Sequence, residues 1–305
     1  MVDAGKHKSQ NHALRFTPAN VIITPSLREA SEKMGLKGKN KIVEFQEVAE
    51  RLLSKIVVQK NVAGVVFLGG LTRGFVDDSS DLDVMVFLSE RDEDQRKRLR
   101  KIGLVEQKDS EVDIDLEVHQ INVFRKWHWD EIDRWDFSTA KIVYDPEGQI
   151  EQLFKKKLGV PKDFWINRIV VNAEYMKWYC CSPRDNVGTI AETWIDRGDL
   201  VAAHDCLNYS VELLIKLIFA LNKGFLPPPK WRMFYSYNQK WLPNNYRRLV
   251  TQAIWTGSLT ENELRRRLKA LRQIFRSVLA KIEEETGFTQ AEISRHYVAA
   301  VLGQI

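Results

Sequence analysis

The chain has 305 residues, with 46 basic and 41 acidic side chains and a formal net charge of +5. This length predicts two domains, at about 150 residues each, and the small basic excess permits a polyanionic partner without requiring one. The three cysteines, Cys180, Cys181 and Cys206, form no C-x-x-C pair, so neither a disulfide scaffold nor a structural zinc site is expected.

Nothing in the sequence indicates a membrane or an exported protein. No apolar run approaches the roughly 18 residues that a membrane-spanning helix needs. The first residues, MVDAGKHKSQNH, lack the apolar region of a signal peptide. We therefore expect no membrane partner and a cytoplasmic location.

The first residues and the first helix are predicted from their patterns. Residues 1–40 are polar and punctuated by proline and glycine, which predicts an irregular arm with one short helix near Leu27–Met34. From Val43 to Val58, apolar residues recur at steps of three and four, which predicts an amphipathic helix against a sheet. Its apolar residues are Phe45, Val48, Ala49, Leu52, Leu53 and Ile56.

The segment Val65–Leu88, VVFLGGLTRGFVDDSSDLDVMVFL, predicts two buried strands joined by a loop. The first strand ends at Gly69-Gly70. Asp81 and Asp83 lie at the start of the second strand and share one face, because side chains alternate along a strand. Paired carboxylates suit Mg²⁺, and glycines let a backbone approach a phosphate closely. The segment predicts a metal and nucleotide-phosphate site rather than a solvated loop, since unpaired acids in an apolar strand are costly.

A third strand is predicted at Glu111–Val118, EVDIDLEV, after an exposed charged helix at 89–103. Acids alternate with apolar residues along this strand and therefore share one face. Four like charges on one face repel each other, so some of them are solvated or bind a cation. The four acids are Glu111, Asp113, Asp115 and Glu117.

The second half of the chain predicts helices only. Lys141–Gly148 is expected to be a short strand and turn, Gln149–Leu158 a helix, and Leu158–Pro161 a hinge. The predicted fold class is α+β: a head with a mixed sheet and flanking helices, followed by an all-α helical bundle. The predicted boundaries are 1–40 for the arm, 41–158 for the head and 159–305 for the bundle.

Within the bundle, apolar residues at helical spacing predict one helix over Asp163–Cys181 and another over Leu200–Leu221. Thr260 and Thr289 each precede a glutamate by three residues, which predicts capping boxes at the start of the last two helices. A basic run is interpreted as a solvated face rather than a nucleic-acid stripe. Its members are Arg265, Arg266, Arg267, Lys269 and Arg272.

Gly69-Gly70, followed after ten intervening residues by Asp81-Leu82-Asp83, resembles the signature of the polymerase-β-type nucleotidyltransferase superfamily. The order of a head and then a bundle is similar to that of the kanamycin-type aminoglycoside nucleotidyltransferases. Gly70 departs from the pattern, because many members carry a serine whose hydroxyl can bind the triphosphate.

The resemblance implies transfer of a nucleoside monophosphate, AMP from ATP, to a hydroxyl of a small-molecule acceptor. It implies two Mg²⁺ ions about 4 Å apart, held by Asp81, Asp83 and Asp115, with Asp113 open as the alternative third ligand. Glu174 is the implied general base, and a homodimer is also implied. The residues expected to bind the nucleotide are Gly69, Gly70, Thr72, Arg73, Ser79 and Ser80.

Two other functions stay open at this point. The same chemistry on RNA or protein is favoured by the net charge and by the basic helix from Arg265. A nucleotide-binding regulatory module without turnover is the second alternative. A small-molecule enzyme predicts an acidic or polar cleft, for which the candidate residues are Asp115, Glu174, Glu192 and Asp196.

Overall fold

The computed structural model describes residues 38–182 and 188–302. These residues form two compact units: one holds the described residues up to Trp127 together with Thr139–Leu153, and the other holds His128–Ser138 and the described residues from Phe154 onward. The chain therefore crosses between the units more than once, whereas the sequence predicted a single boundary after Leu158. The predicted arm lies outside the described residues, except for its last three.

A four-stranded mixed sheet, in the order β3-β2-β1-β4, forms the centre of the first unit. Strand β2 lies antiparallel to β1 and parallel to β3, while β4 lies antiparallel to β1. Because β2 is an inner strand, its apolar residues are buried, as the predicted buried strand requires. The strands are β1 (Val62–Phe67), β2 (Leu82–Leu88), β3 (Ile114–Gln120) and β4 (Lys141–Tyr144).

Among the described residues, five helices begin in the first unit. The predicted apolar stripe of α1 is buried, and it shares one core with Val65, Val84 and Val86 of the sheet. The helices are α1 (Ile42–Val57), α2 (Gly69–Arg73), α3 (Glu93–Ser110), α4 (Ile121–Phe124) and α6 (Gln149–Leu158), the last of which runs into the second unit. A mixed-sheet head with flanking helices is confirmed.

Strand β3 begins three residues later than predicted. Helix α3 is longer than expected, and Glu111 ends it in the left-handed conformation, with φ of 59°. Asp113 lies in the connection to β3 and accepts a hydrogen bond from the Gln107 amide. The prediction of four acids on one strand face was therefore wrong, because only Asp115 and Glu117 lie on β3.

The second unit contains helices and connecting segments but no strand among its described residues, which confirms the predicted α+β class. The central helix α9 packs against α7, α8 and α12. Helices α12 and α13 begin directly after the predicted capping threonines, and no described helix is long and apolar enough to cross a membrane. The helices are α5 (Glu131–Thr139), α7 (Lys162–Tyr179), α8 (Ile190–Asp196), α9 (Leu200–Leu221), α10 (Pro229–Ser236), α11 (Tyr246–Ile254), α12 (Glu261–Thr286) and α13 (Gln290–Leu302).

One residue of the basic run predicted to be solvated is fully buried. The Arg267 guanidinium donates to the Ala253 carbonyl, to Nδ1 of His204 and to Oδ1 of Asn208. Burial and the adjacent Arg267 lower the pKa of His204, so a neutral ring is available to accept this hydrogen bond. Arg267 therefore joins α12 to α9 and α11, and its prediction as a surface residue was wrong.

A buried carboxylate joins α1 to α3 in the first unit. Glu106 of α3 accepts from Nε of Arg51 at 2.8 Å and from Nζ of Lys55 at 2.6 Å. Burial raises the pKa of Glu106, but the two cations lower it by more, so its pKa lies below the ordinary value. The ionised form of Glu106 therefore stabilises the folded unit.

We predict that Glu106→Gln lowers the free energy of unfolding by about 1 kcal/mol at neutral pH, a modest value because both cations are half exposed to screening solvent. This contribution is present above the unfolded-state pKa of about 4.3 and is lost as the pH falls through the lower folded-state pKa. Urea unfolding at several pH values measures it, with the exposed Glu50→Gln as control. A loss that does not depend on pH, or an equal loss in the control, would contradict the prediction.

Candidate functional site

Strands β2 and β3 bring two carboxylates side by side. Asp83 and Asp115 are register partners in the parallel pair, and their side chains therefore leave the sheet on the same face, on strands about 4.8 Å apart. Asp81 directly precedes β2 and lies near enough to Asp115 to affect its ionisation. The sequence predicted these three acids as one group, and the register favours Asp115 over Asp113 as the third member.

The surroundings of Asp115 disfavour its charged form. Partial desolvation raises the pKa of Asp115, and the negative charges of Glu117, Asp81 and Asp113 raise it further. A carboxylate among other carboxylates is stabilised when a cation binds between them. The chemistry of these donors, hard oxygens from several carboxylates, matches the preference of Mg²⁺.

The carboxylates as they stand do not enclose a cation. Across residues 38–182 and 188–302, no three acidic, histidine or cysteine side chains are arranged to hold a metal ion. Asp83 also has interactions of its own, as does Arg73, which is half-buried and is not a free cation. Metal binding by Asp81, Asp83 and Asp115, and phosphate binding by Arg73, therefore stay predictions.

The glycine pair and the acids of β2 form one structural unit. Gly69 has φ of +66°, in the left-handed region that favours glycine. A Cβ atom at Gly69 would lie 1.6 Å from Oδ2 of Asp83, so the missing side chain makes room for this carboxylate. The adjacent Leu68 N–H donates to the backbone carbonyl of Asp83 at 3.1 Å. The first glycine of the motif is thus required both by its backbone conformation and by the position of the acid.

The departure from the family pattern at Gly70 has a steric reason. A Cβ atom at this position would lie 2.7 Å from the Phe75 carbonyl oxygen and 2.8 Å from Cγ1 of Val76. The chain folds back here because the N–H groups of Gly74 and Phe75 both donate to the Gly70 carbonyl. A serine at this position does not fit without a shift of the backbone.

Two hydroxyls that were predicted to bind the nucleotide are used inside the loop. Thr72 is buried and donates to the Gly69 carbonyl at 3.1 Å, and its contact with the nucleotide stays a prediction. Ser80 donates to Oδ1 of Asp77 at 3.1 Å and accepts from the Asp77 N–H at 3.0 Å. The exposed Ser79 gives its N–H to the same carboxylate.

Asp77, which the sequence analysis did not assign to the site, therefore shapes the loop before the acids. Its hydrogen bonds to the two serines form an Asx-type turn, for which the sequence Asp-Asp-Ser-Ser is a recognisable signal. The predicted contribution of Ser80 to phosphate binding would require this turn to give up a hydrogen bond.

The assignment of Glu174 as the general base is not supported by its surroundings. This residue belongs to the second unit, is buried, and pairs with Nζ of Lys177 at 3.0 Å. The Ser294 hydroxyl lies 2.9 and 3.1 Å from its two carboxylate oxygens. A buried carboxylate whose oxygens contact Lys177 and Ser294 is shielded from an acceptor hydroxyl. Glu174 instead joins α7 to α13.

The other acids proposed for an acidic cleft in the second unit are paired as well. Glu192 lies 2.6 Å from the Arg272 guanidinium and also accepts from the Thr189 hydroxyl. Asp196 lies 2.8 Å from the Arg265 guanidinium. These two candidate acids of the predicted cleft are therefore already bound to arginines of the same unit.

Comparisons with known families agree with the geometry of the first unit. Residues 50–142 match the nucleotidyltransferase domain family, and this range contains the glycine pair and all three acids. Residues 135–232 match a domain of unknown function, DUF4037. No curated protein matches the chain. A solved nucleotidyltransferase-like protein from Exiguobacterium sibiricum is similar at 11% identity over 78% of this chain and 77% of that chain, with a TM-score of 0.39.

We predict that Gly70→Ser lowers the free energy of unfolding by about 1–3 kcal/mol, because the added atoms have no space beside Phe75 and Val76. Gly188→Ser is the matched control, since a Cβ atom at Gly188 meets nothing within 4 Å. Chemical denaturation of the two variants measures the difference. Equal stability of Gly70→Ser and the unaltered protein would show that the loop does not close over this position.

Proposed function

We propose that the protein transfers AMP from ATP to a hydroxyl of a small-molecule acceptor, on the premise that residues 50–142 match the nucleotidyltransferase domain family. The observation that carries this proposal is the register of β2 and β3, which sets Asp83 beside Asp115. Asp83 lies at the start of an inner strand and Asp115 on the neighbouring strand, and a cation bound between two such acids would stabilise both negative charges.

In this proposal, different residues of the head bind the metal ions and contact the triphosphate. Asp81, Asp83 and Asp115 would hold two Mg²⁺ ions, which supply positive charge to the attacking and leaving oxygens. Gly69 leaves room for the Asp83 carboxylate, and the backbone amides at Gly69-Gly70 are the proposed contacts of the triphosphate. Arg73 and Ser79 are further proposed contacts of the phosphate oxygens.

The proposed reaction is a single in-line displacement at the α-phosphorus. A bond forms between the acceptor oxygen and this phosphorus, the bond to the pyrophosphate oxygen breaks, and the proton of the acceptor hydroxyl passes to solvent water. No general base is assigned, because Glu174 is engaged with Lys177 and Ser294. The reacting geometry would supply most of the rate enhancement through positioning and charge neutralisation.

The ion pairs formed by the basic run, residues 265–272, support a small-molecule acceptor over RNA. Arg265 pairs with Glu261 and Asp196, and Arg266 pairs with Glu263. The other arginines of the run are used by Glu192 or are buried. Arginines held by acids of their own unit have less charge to offer to phosphates. Transfer to RNA or protein is the alternative, and acceptor binding that weakens steeply with salt would favour RNA.

The proposal is tested by measuring pyrophosphate release from each of the four nucleoside triphosphates with Mg²⁺. The acceptors are a panel of hydroxylated small molecules, aminoglycosides included, and total RNA. Release that requires one small-molecule class supports the proposal, and release that requires RNA supports the alternative. Nucleotide binding without release from any of these acceptors would favour the regulatory module.

We predict that Asp83→Asn lowers the rate of pyrophosphate release by at least about 100-fold, because a lost metal ligand removes several kcal/mol of transition-state stabilisation. Asp113→Asn is the matched control, since Asp113 lies outside β3 and contacts Gln107. We expect the control to retain a rate within about twofold of the unaltered protein. An unchanged rate in Asp83→Asn, or an equal loss in both variants, would contradict the assignment.

A further inference from the structure

The second unit contains a cavity of about 580 Å³, formed by residues of α5, α7, α9 and α10 together with Leu226. This volume falls within the range of small-molecule sites, roughly 300–1,000 Å³. Its lining is partly apolar and includes polar and charged side chains, notably Glu131, Asn167, Arg168, Tyr209, Lys216 and Arg232. All of these residues belong to the same compact unit.

The acids of this cavity already have donors within the unit. Glu131 accepts the Leu226 N–H at 3.1 Å and pairs with Nη2 of Arg168 at 2.8 Å. Asp130 accepts the N–H of Asp133 at 2.9 Å, at the start of α5. A cationic ligand would therefore compete with hydrogen bonds that hold the unit together.

The donors of the cavity are only partly used. Lys216, on α9, is half-buried, and its charge acts on the Glu131 carboxyl of the same cavity, but no hydrogen bond or ion pair within 4 Å joins it to any residue in the described part of the chain. Arg168 stacks on the Phe164 ring at 4.2 Å, and its buried Nε finds no acceptor among the described residues. Arg232, by contrast, is held by the Glu212 carboxylate and the Pro227 carbonyl.

The hydrogen-bond donors of the cavity that lack a protein acceptor among the described residues determine which ligand charge the cavity favours. A buried donor that lacks an acceptor costs free energy, and a ligand that supplies the acceptor recovers it. An ammonium in a half-buried wall binds an anion more strongly than the same group in bulk water, because the local dielectric is lower. The acceptor missing from this cavity is therefore an anionic oxygen.

We propose that this cavity binds a small molecule that carries a carboxylate or phosphate group together with hydroxyls. The anionic oxygens contact the Lys216 ammonium and the Arg168 guanidinium, while the Asn167 amide and the Tyr209 hydroxyl contact the neutral part of the ligand. A polycation such as an aminoglycoside meets the Lys216 charge and finds the acids engaged. The inference goes beyond nucleotidyl transfer and depends on no residue of the head.

The test is calorimetric titration of the full chain, without nucleotide or Mg²⁺, with four probes: inorganic phosphate, a hexose 6-phosphate, citrate and an aminoglycoside. We expect at least one anionic probe to bind, with the hexose phosphate or citrate stronger than inorganic phosphate. Preference between these two identifies the anion as phosphate or carboxylate. The aminoglycoside is expected to bind at least about tenfold more weakly than the preferred anion.

Two matched variants locate the binding. Lys216→Gln is expected to weaken the preferred anion at least about tenfold, because a charge-assisted contact is lost. Lys240→Gln removes the same charge from an exposed position outside the cavity and is expected to leave the affinity unchanged. Absence of anion binding, equal affinities in the two variants, or tighter binding of the aminoglycoside would overturn the proposal. An inactive transferase that still binds the anion would refute only the proposed function.

Discussion

The parallel pairing of β2 with β3 is the constraint on which the candidate site depends. It places Asp83 directly beside Asp115, and the surrounding acids oppose the ionisation of Asp115. The loop before β2 accommodates these acids. Gly69 takes a left-handed conformation and leaves the space that the Asp83 carboxylate occupies. Asp77 then closes the loop that leads to the acids. A cation is the natural partner for such a group, since it converts mutual repulsion into shared coordination.

In the second unit, acids that the sequence indicates as candidate ligand contacts are ion-paired within the unit. From the sequence alone, Glu174, Glu192 and Asp196 are candidate residues of an acidic or polar cleft. In the folded unit each is paired with a cation of its own unit, while Lys216 has no ion-pair partner among the described residues. Only charged groups that form no ion pair within the unit are fully available to a ligand. In this unit such a group, Lys216, favours an anion over a polycation.

The parts of the fold that could be predicted are those that local pattern determines. The stripe of α1, the inner strand β2 and the capping threonines before α12 and α13 were found because spacing and cap chemistry act within a few residues. The errors have two causes: distant partners in one case and a local change of backbone conformation in the other. Arg267 looked like its exposed neighbours until Ala253, His204 and Asn208 surrounded it. The start of β3 was misplaced because alternation continued through Glu111, although α3 ends there in a left-handed cap.

The most direct test of the shared carboxylate site is the binding of Mn²⁺, followed by electron paramagnetic resonance in the presence of a non-hydrolysable ATP analogue. We predict that Asp83→Asn and Asp115→Asn each weaken Mn²⁺ binding by at least about tenfold. Asp113→Asn is predicted to bind Mn²⁺ as the unaltered protein does, because Asp113 lies outside the strand pair. Unchanged binding in both β-strand variants, or a loss in Asp113→Asn equal to that in Asp115→Asn, would contradict the site described for β2 and β3.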